Sequence, residues 1–384
     1  MLSKKQITLL FFVVLTFAMA TPSVAWAVNV LNDSQEPGSV VVFPLFERGT
    51  VTCPADAPYG CTPATGTLPR TSFEVSVVCP NGATCTDQQD VDIHFEWVCG
   101  QPFAGVFCSK RDFILNTTVN GTIRFTANGG ACEPAPGFTN LEGCGTVQVP
   151  PCFEGYLIGW VVDESGRPIK FDGLIGDAQL RENSTAVTAY NAIPIQAAPS
   201  LATGALVPVG PGGALRFDST GYTEVTGTII GSVQYDYVNP AGFDQDQTSL
   251  VLLTLDTLSN RYNYPTSVDL NFYNEGEEVS SQSTLFTCFE ETGSLFSAFG
   301  LSSGTFGPKG LVQSTKAEKT AILGISDTAG PVTLLGLVIT RECDPTTSCV
   351  VFPPPLFAAT PTPLRNFAYP LLNDSIPVAT KFVP

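Results

Sequence analysis

The chain has 384 residues, with 18 basic side chains against 35 acidic ones and a formal net charge of −17. So acidic a polymer repels phosphate backbones and anionic headgroups, which argues against nucleic acid as a partner. Only 14% of the residues are charged while 43% are hydrophobic, so the chain carries the apolar material of a folded core and is not a disordered polyanion.

Residues 1–27 read as an export signal. Lys4 and Lys5 form a positive start, Ile7 to Phe17 is an apolar run broken by Thr8 and Thr16, and Ala25-Trp26-Ala27 is a small-x-small cleavage site, with Ala18-Met19-Ala20 as the alternative. The run is too short for a resident bilayer helix, and no other stretch approaches 18 apolar residues. The expected mature chain begins at Val28, has 357 residues and carries a net charge of −19. It is expected outside the cytoplasm: extracellular, on the cell surface or periplasmic.

The signals that follow are mostly of period two. "SVVVFPLF" (Ser39–Phe46) is a strand-like run interrupted by Pro44, and its VVFP word returns at Val350–Pro353. Proline sits at sheet edges and strand ends, so both words are expected as edge strands, neighbours in space where the termini meet. "FEVSVVC" alternates through Phe73, Val75 and Val77. In "VDIHFEWV", Val91, Ile93, Phe95 and Trp97 share one face while Asp92, His94 and Glu96 share the other, a half-buried strand with a polar outer side. "NGTIRFTANGG" predicts a strand between turns at Asn120-Gly121 and Asn128-Gly129.

Further strand-length runs lie in 155–177, with a hairpin turn at Asp163–Pro168, and in 213–221, 226–238, 248–258, 267–274 and 283–291. "LVLLTL" (Leu250–Leu255) is almost continuously apolar, which predicts burial on both faces. The last strands are expected at Gly310–Thr315, Thr320–Ser326 and Val332–Thr340. Helices are expected only at Leu180–Ile193 and Ser294–Gly300, and the Pro/Gly/Ala-rich Ile195–Leu215 is a candidate linker. The tail from Phe352 is proline-dense and extended. These signals predict an all-β, disulfide-rich, mostly antiparallel fold of the β-sandwich or jelly-roll type. Its expected parts are a Cys-rich β subdomain over 28–152, a β-sandwich subdomain over 153–350, interlaced with the first, and a Pro-rich C-terminal arm over 351–384.

Twelve cysteines occupy positions Cys53, Cys61, Cys79, Cys85, Cys99, Cys108, Cys132, Cys144, Cys152, Cys288, Cys343 and Cys349. An even set behind an export signal predicts structural disulfides. Turn-forming residues between neighbours suggest Cys53–Cys61, Cys79–Cys85, Cys99–Cys108, Cys132–Cys144 and Cys343–Cys349, which leaves Cys152–Cys288 as one long bridge. The tightest spacing is C-x5-C and His94 is the sole histidine, a pattern foreign to structural zinc.

Catalytic signals are weak. His94 is expected to be a solvated surface residue. "GLSSG" (Gly300–Gly304) matches G-x-S-x-G around Ser302, but the histidine precedes it and the loop reading is preferred. Carboxylate pairs at Asp92/Glu96 and Asp172/Asp177 are the only glycosidase-like spacings singled out. Asp244–Thr248 and Asn274–Glu278 are acidic loops with oxygen donors of the kind calcium takes, a weak signal; no other cofactor is expected. Tyr235 with Tyr237 and Tyr262 with Tyr264 have the spacing of a sugar-stacking platform. Sequons begin at Asn32, Asn116, Asn120, Asn183 and Asn373. The expected function is that of a secreted, non-catalytic structural, surface or adhesion protein, self-associating through edge strands or by donating the C-terminal arm to the next subunit. A carbohydrate-binding or glycoside hydrolase-like protein, with glycans as partners, is the alternative.

Overall fold

The computed structural model describes residues 36–49, 70–86, 89–100, 108–134, 144–181, 187–238, 244–255, 265–319, 330–342, 365–370 and 372–373. The expected signal 1–27, the word Val350–Pro353, the run Thr320–Ser326 and the cysteines at 53, 61, 343 and 349 lie outside them.

The first strands are β1 (Val40–Glu47), β2 (Arg70–Val77), β3 (Asp90–Cys99), β4 (Lys110–Thr118), β5 (Thr122–Thr126), β6 (Gly130–Ala131), β7 (Glu133–Pro134), β8 (Thr146–Val147), β9 (Glu154–Val162), β10 (Leu174–Arg181), β11 (Val187–Asn191) and β12 (Ile193–Ile195). They make an outer sheet, β11-β10-β2-β5-β7, an inner sheet, β12-β1-β9-β3-β4, and a small β6–β8 ribbon. Then come β13 (Ile229–Gln234), β14 (Tyr237–Val238), β15 (Asp244–Thr254), β16 (Thr266–Asn274), β17 (Val279–Phe286), β18 (Phe289–Glu291), helices α1 (Leu295–Phe299) and α2 (Ser303–Phe306), β19 (Lys309–Lys319), β20 (Gly330–Pro331), β21 (Leu334–Glu342), β22 (Arg365–Pro370) and β23 (Leu372–Asn373). These make a second inner sheet, β14-β15-β21-β22 with β18 on β15, and a second outer sheet, β17-β16-β19-β13-β23 with β20 on β19. Every pairing between named strands is antiparallel, and the all-β architecture follows directly. Strands on either side of Cys152 share both N-terminal sheets, and the change to the second pair of sheets comes between Val225 and Ile229.

The first core lies between the two N-terminal sheets and is aromatic. Phe43 meets Phe73 edge-on at 5.0 Å, Phe46 meets Trp97 at 4.8 Å, and Phe125 stacks on Phe73 at 5.2 Å. Such pairs add to their area burial about 0.5–1.5 kcal/mol each. Two glycines make room for the rings: a Cβ on Gly159 would come within 2.5 Å of the Phe95 ring, and one on Gly176 within 2.7 Å of Phe43. Trp97 satisfies its indole by donating Nε1–H to the Gln148 carbonyl at 2.6 Å.

The opposite side of the inner N-terminal sheet meets β15 and β21. Val251, Leu253, Leu335, Leu337 and Ile339 join that first core, and the Tyr156 hydroxyl donates to the Thr254 carbonyl at 3.0 Å. Leu250, Leu252, Leu334 and Val338 point the other way, into the second core with Val268, Leu270, Phe272 and Val312. The fold is therefore a stack of four sheets, in which β1 and β9 of one middle layer and Gln247–Thr254 and Leu334–Thr340 of the other are buried on both faces. The uninterrupted apolar run of β15 is the direct expression of that position.

Several expectations are corrected. The first VVFP word does not form an edge strand: Val40–Val42 lie between β12 and β9, and Pro44 comes after the last β12 pair and in an irregularity against β9 between Phe43 and Phe46, where a residue without N–H is tolerated. The described residues of Leu180–Ile193 are not helical. Val187, Thr188 and Tyr190 suit a strand, and β10, β11 and β12 occupy the described part. Residues 213–221 form no strand but a turn, closed by Tyr222 N–H donating to the Arg216 carbonyl at 2.8 Å. The Ile195–Leu215 segment folds back on its own sandwich, with Lys170 N–H donating to Ala205 and Val207 N–H to Pro168. Within the tail, β22 pairs with β21 and β23 with β13 of the same chain, so Arg365–Pro370 and Leu372–Asn373 are engaged at home.

Two of the expected disulfides are present, Cys79–Cys85 and Cys132–Cys144. Two others are corrected: Cys99 is bonded to Cys152 and Cys108 to Cys288. The pairing of β3 with β9 sets Cys99 opposite Gly155, beside Cys152, while Cys108 turns out of the β3–β4 ladder at φ 55°. Sheet register, not proximity in sequence, chooses the partners.

Candidate functional site

The chemically richest surface is the outer face of β3 and β4, where the period-two pattern of "VDIHFEWV" puts Asp92, His94 and Glu96. Register sets Asp92 opposite Asn116, His94 opposite Ile114, and Glu96 opposite Asp112. Asn116 donates Nδ2–H to Asp92 at 2.8 Å, and Lys110 Nζ lies 3.0 Å from Glu96. The imidazole of His94 stacks on Trp160 of β9, centroids 4.4 Å apart, with Nε2 3.7 Å from Asp112. His94 is thus not the solvated residue expected from its alternation, because the neighbouring strand supplies a flat apolar partner. Burial lowers its pKa, opposed by Asp112. Burial raises that of Glu96, opposed by Lys110.

This geometry does not make a carboxylate pair. Four residues along a strand separate Asp92 from Glu96 by about 13 Å, wider than the span of either glycosidase class. Trp160 is 7% exposed and covered by His94, so it offers no ring to a sugar. Asp172 accepts from Ser39 Oγ at 2.6 Å and from Ala197 N–H at 2.8 Å, with Lys170 at 3.5 Å, which fastens the start of β1. Asp177 stands on the outer face of β10 opposite Glu74, its pKa raised by burial first and by Glu74 second, with Arg124 opposing.

The remaining candidates take structural places. Ser302 is 5% exposed, sits at the start of α2 and exchanges a hydrogen bond with Thr305 at 3.0 Å, so "GLSSG" is a helix start and not a flexible loop. Tyr235 is buried and donates to the Tyr273 carbonyl at 2.7 Å; Tyr262 and Tyr264 lie outside the described residues. Asp244–Thr248 is the first half of β15 and not a loop. In Asn274–Glu278 the Asn274 side chain accepts from Gly276 and Glu278 N–H, each at 2.9 Å, and donates to Glu278 at 2.7 Å, so its polar atoms hold the β16–β17 turn. Of the sequons, Asn116 lies in β4 and Asn120 in the β4–β5 turn.

Two features escaped the sequence. The buried carboxylate of Asp236 accepts from Thr248 N–H and from Phe296 N–H, both at 2.7 Å, and pins α1 to β15. An aspartate between two tyrosines in a strand run carries no signal for that role. The other is the β17 edge. Among the described residues β17 pairs only with β16, at the end of its sheet, and exposes Val279 and Leu285.

No family model matches the chain, and no curated protein matches it. Among the described residues no helix is long and apolar enough to cross a membrane.

Proposed function

We propose that the chain is an exported, non-catalytic structural component that works outside the cytoplasm, at a cell surface or in the surrounding space. The observation that carries this reading is the Cys108–Cys288 disulfide, which joins sulfurs 180 residues apart, both buried, across the two inner sheets. Bonds of that kind form and persist in oxidising compartments. The reading takes residues 1–27 as the removed signal. It takes the rest as two interlaced subdomains with a C-terminal segment, supported by a middle sheet whose two faces enter different cores. The polar residues singled out for chemistry support it too, since Asp172, Asn274 and Ser302 are each occupied in holding backbone or side chains of the fold.

The test is expression of the tagged full chain in its own host, followed by protease shaving of intact cells and thiol titration of the denatured, unreduced protein. Recovery outside the cytoplasm with thiols blocked is the expected result. Retention in the cytoplasm with titratable thiols would overturn the reading.

A further inference from the structure

The β17 edge differs in character from the rest of this acidic surface. Val279–Phe286 (VSSQSTLF) pairs with β16 in continuous register, from Thr266↔Phe286 to Tyr273↔Val279. The hairpin bond from Asn274 N–H to the Glu278 carbonyl, 3.1 Å, fixes the alternation of the ladder. The N–H and C=O groups of Val279, Ser281, Ser283 and Leu285 therefore point away from β16, to the side where no described strand pairs. Proteins blunt such edges with charges, prolines or bulges. β17 has no charged residue, no proline and no register shift against β16. On its outer face stand Val279, 54% exposed, and Leu285, 61% exposed, the two most exposed large hydrophobics among the described residues.

The strand is also symmetric about Gln282. Laid antiparallel against a second copy centred there, Val279 stands opposite Leu285, Ser280 opposite Thr284, Ser281 opposite Ser283 and Gln282 opposite itself. A slip of the register by two residues opposes Leu285 to Glu277, or Val279 to Thr287, and loses the apolar pairs. We propose that two copies of this chain join along β17 in that two-fold register, continuing the outer C-terminal sheet from one copy into the other. The four edge-facing residues of each copy then exchange about eight backbone hydrogen bonds. The exposed Val279 of each copy packs on its partner's Leu285, and no charge opposes a like charge in spite of the net −17. The joint deepens the structural reading above and rests on it, since such a component works through contacts with its own kind.

The experiment uses the full mature chain with its disulfides intact. Sedimentation over a concentration series should show a monomer–dimer equilibrium. Ser281→Lys with Ser283→Lys, which sets lysine opposite lysine twice, should raise the dissociation constant about tenfold. Register is tested covalently. Directly opposed residues of a non-hydrogen-bonded pair have Cα atoms about 4.5 Å apart, within disulfide reach. Gln282→Cys should therefore give a covalent dimer under mild oxidation. Thr284→Cys, whose mate is Ser280, should not. A parent chain monomeric at every concentration, a lysine variant that dimerises like the parent, or equal cross-linking of both cysteine variants would each overturn the joint. None of these results bears on where the chain is delivered, so the joint can fail while the reading of an exported structural component stands.

Discussion

Cys108 and Cys288 lie 180 residues apart in sequence and 6.0 Å apart between Cα atoms. One sits at the entry to β4 and the other in the corner between β17 and β18. Closing so long a loop contributes about 5 kcal/mol in the chain-entropy model, against about half of that for the short Cys79–Cys85 loop. Replacing Cys108 and Cys288 together by alanine should cost about 3–5 kcal/mol in urea denaturation. The matching pair of alanines at Cys79 and Cys85 should cost clearly less.

The connectivity is directly checkable. Proteolysis without reduction should release Cys99 with Cys152, Cys108 with Cys288, and Cys132 with Cys144. A peptide joining Cys99 to Cys108, or Cys152 to Cys288, would contradict the register of β3 against β9.

His94 and Glu96 should pull the pH dependence of stability in opposite directions. Burial against Trp160 holds the imidazole below its ordinary 6.5, with Asp112 opposing. As pH falls from that value toward the lower folded one, the unfolded chain takes up a proton that the native ring refuses, and stability is lost. Glu96 is held above its ordinary 4.5 by burial, with Lys110 opposing and Asp112 adding a little. Its contribution is therefore present at acid pH and lost as pH rises through the raised value. His94→Gln should flatten the fall in melting temperature below about pH 6.5, while Glu96→Gln should raise the melting temperature near neutrality relative to the parent.

Asp236 should matter more than any surface acid. Alanine there leaves the N–H groups of Thr248 and Phe296 buried without an acceptor. The expected loss is about 3 kcal/mol by denaturant titration, with Asp236→Asn milder because one oxygen remains. Loss of α1 from its seat should also expose Leu295, which a hydrophobic dye would report.

Much of this fold was legible. Alternation placed Val91, Ile93, Phe95 and Trp97 inside, and all four are buried. "LVLLTL" announced a strand dry on both faces, and Ser294–Gly300 a helix, which forms as Leu295–Phe299 with Ser294 capping Ser297 N–H at 3.1 Å. What failed depended on partners distant in sequence. The Leu180–Ile193 segment has weak local preference, and pairing with β2 and β1 decides it. Proline at Pro44 suggested an edge, but the strand takes two partners at Val40–Val42, ahead of the proline, and is irregular where the proline falls. Cysteines paired by nearness gave the wrong mates wherever a third strand intervened.

The candidate site divides in the same way. Strand periodicity put Asp92, His94 and Glu96 on one face, since that needs only local pattern. The stacking of His94 on Trp160 could not be read, because it depends on β9 lying next to β3, some 60 residues away in sequence. The open edge of β17 was equally hidden: an edge is a property of sheet order, not of composition.

The layer formed by β15 and β21 closes two interiors at once, Leu250 and Leu252 on one side, Val251 and Leu253 on the other. Neither half of the molecule can shed its lining without wetting its neighbour. Damage at one end is thus shared by the other, and the two cores are expected to melt together.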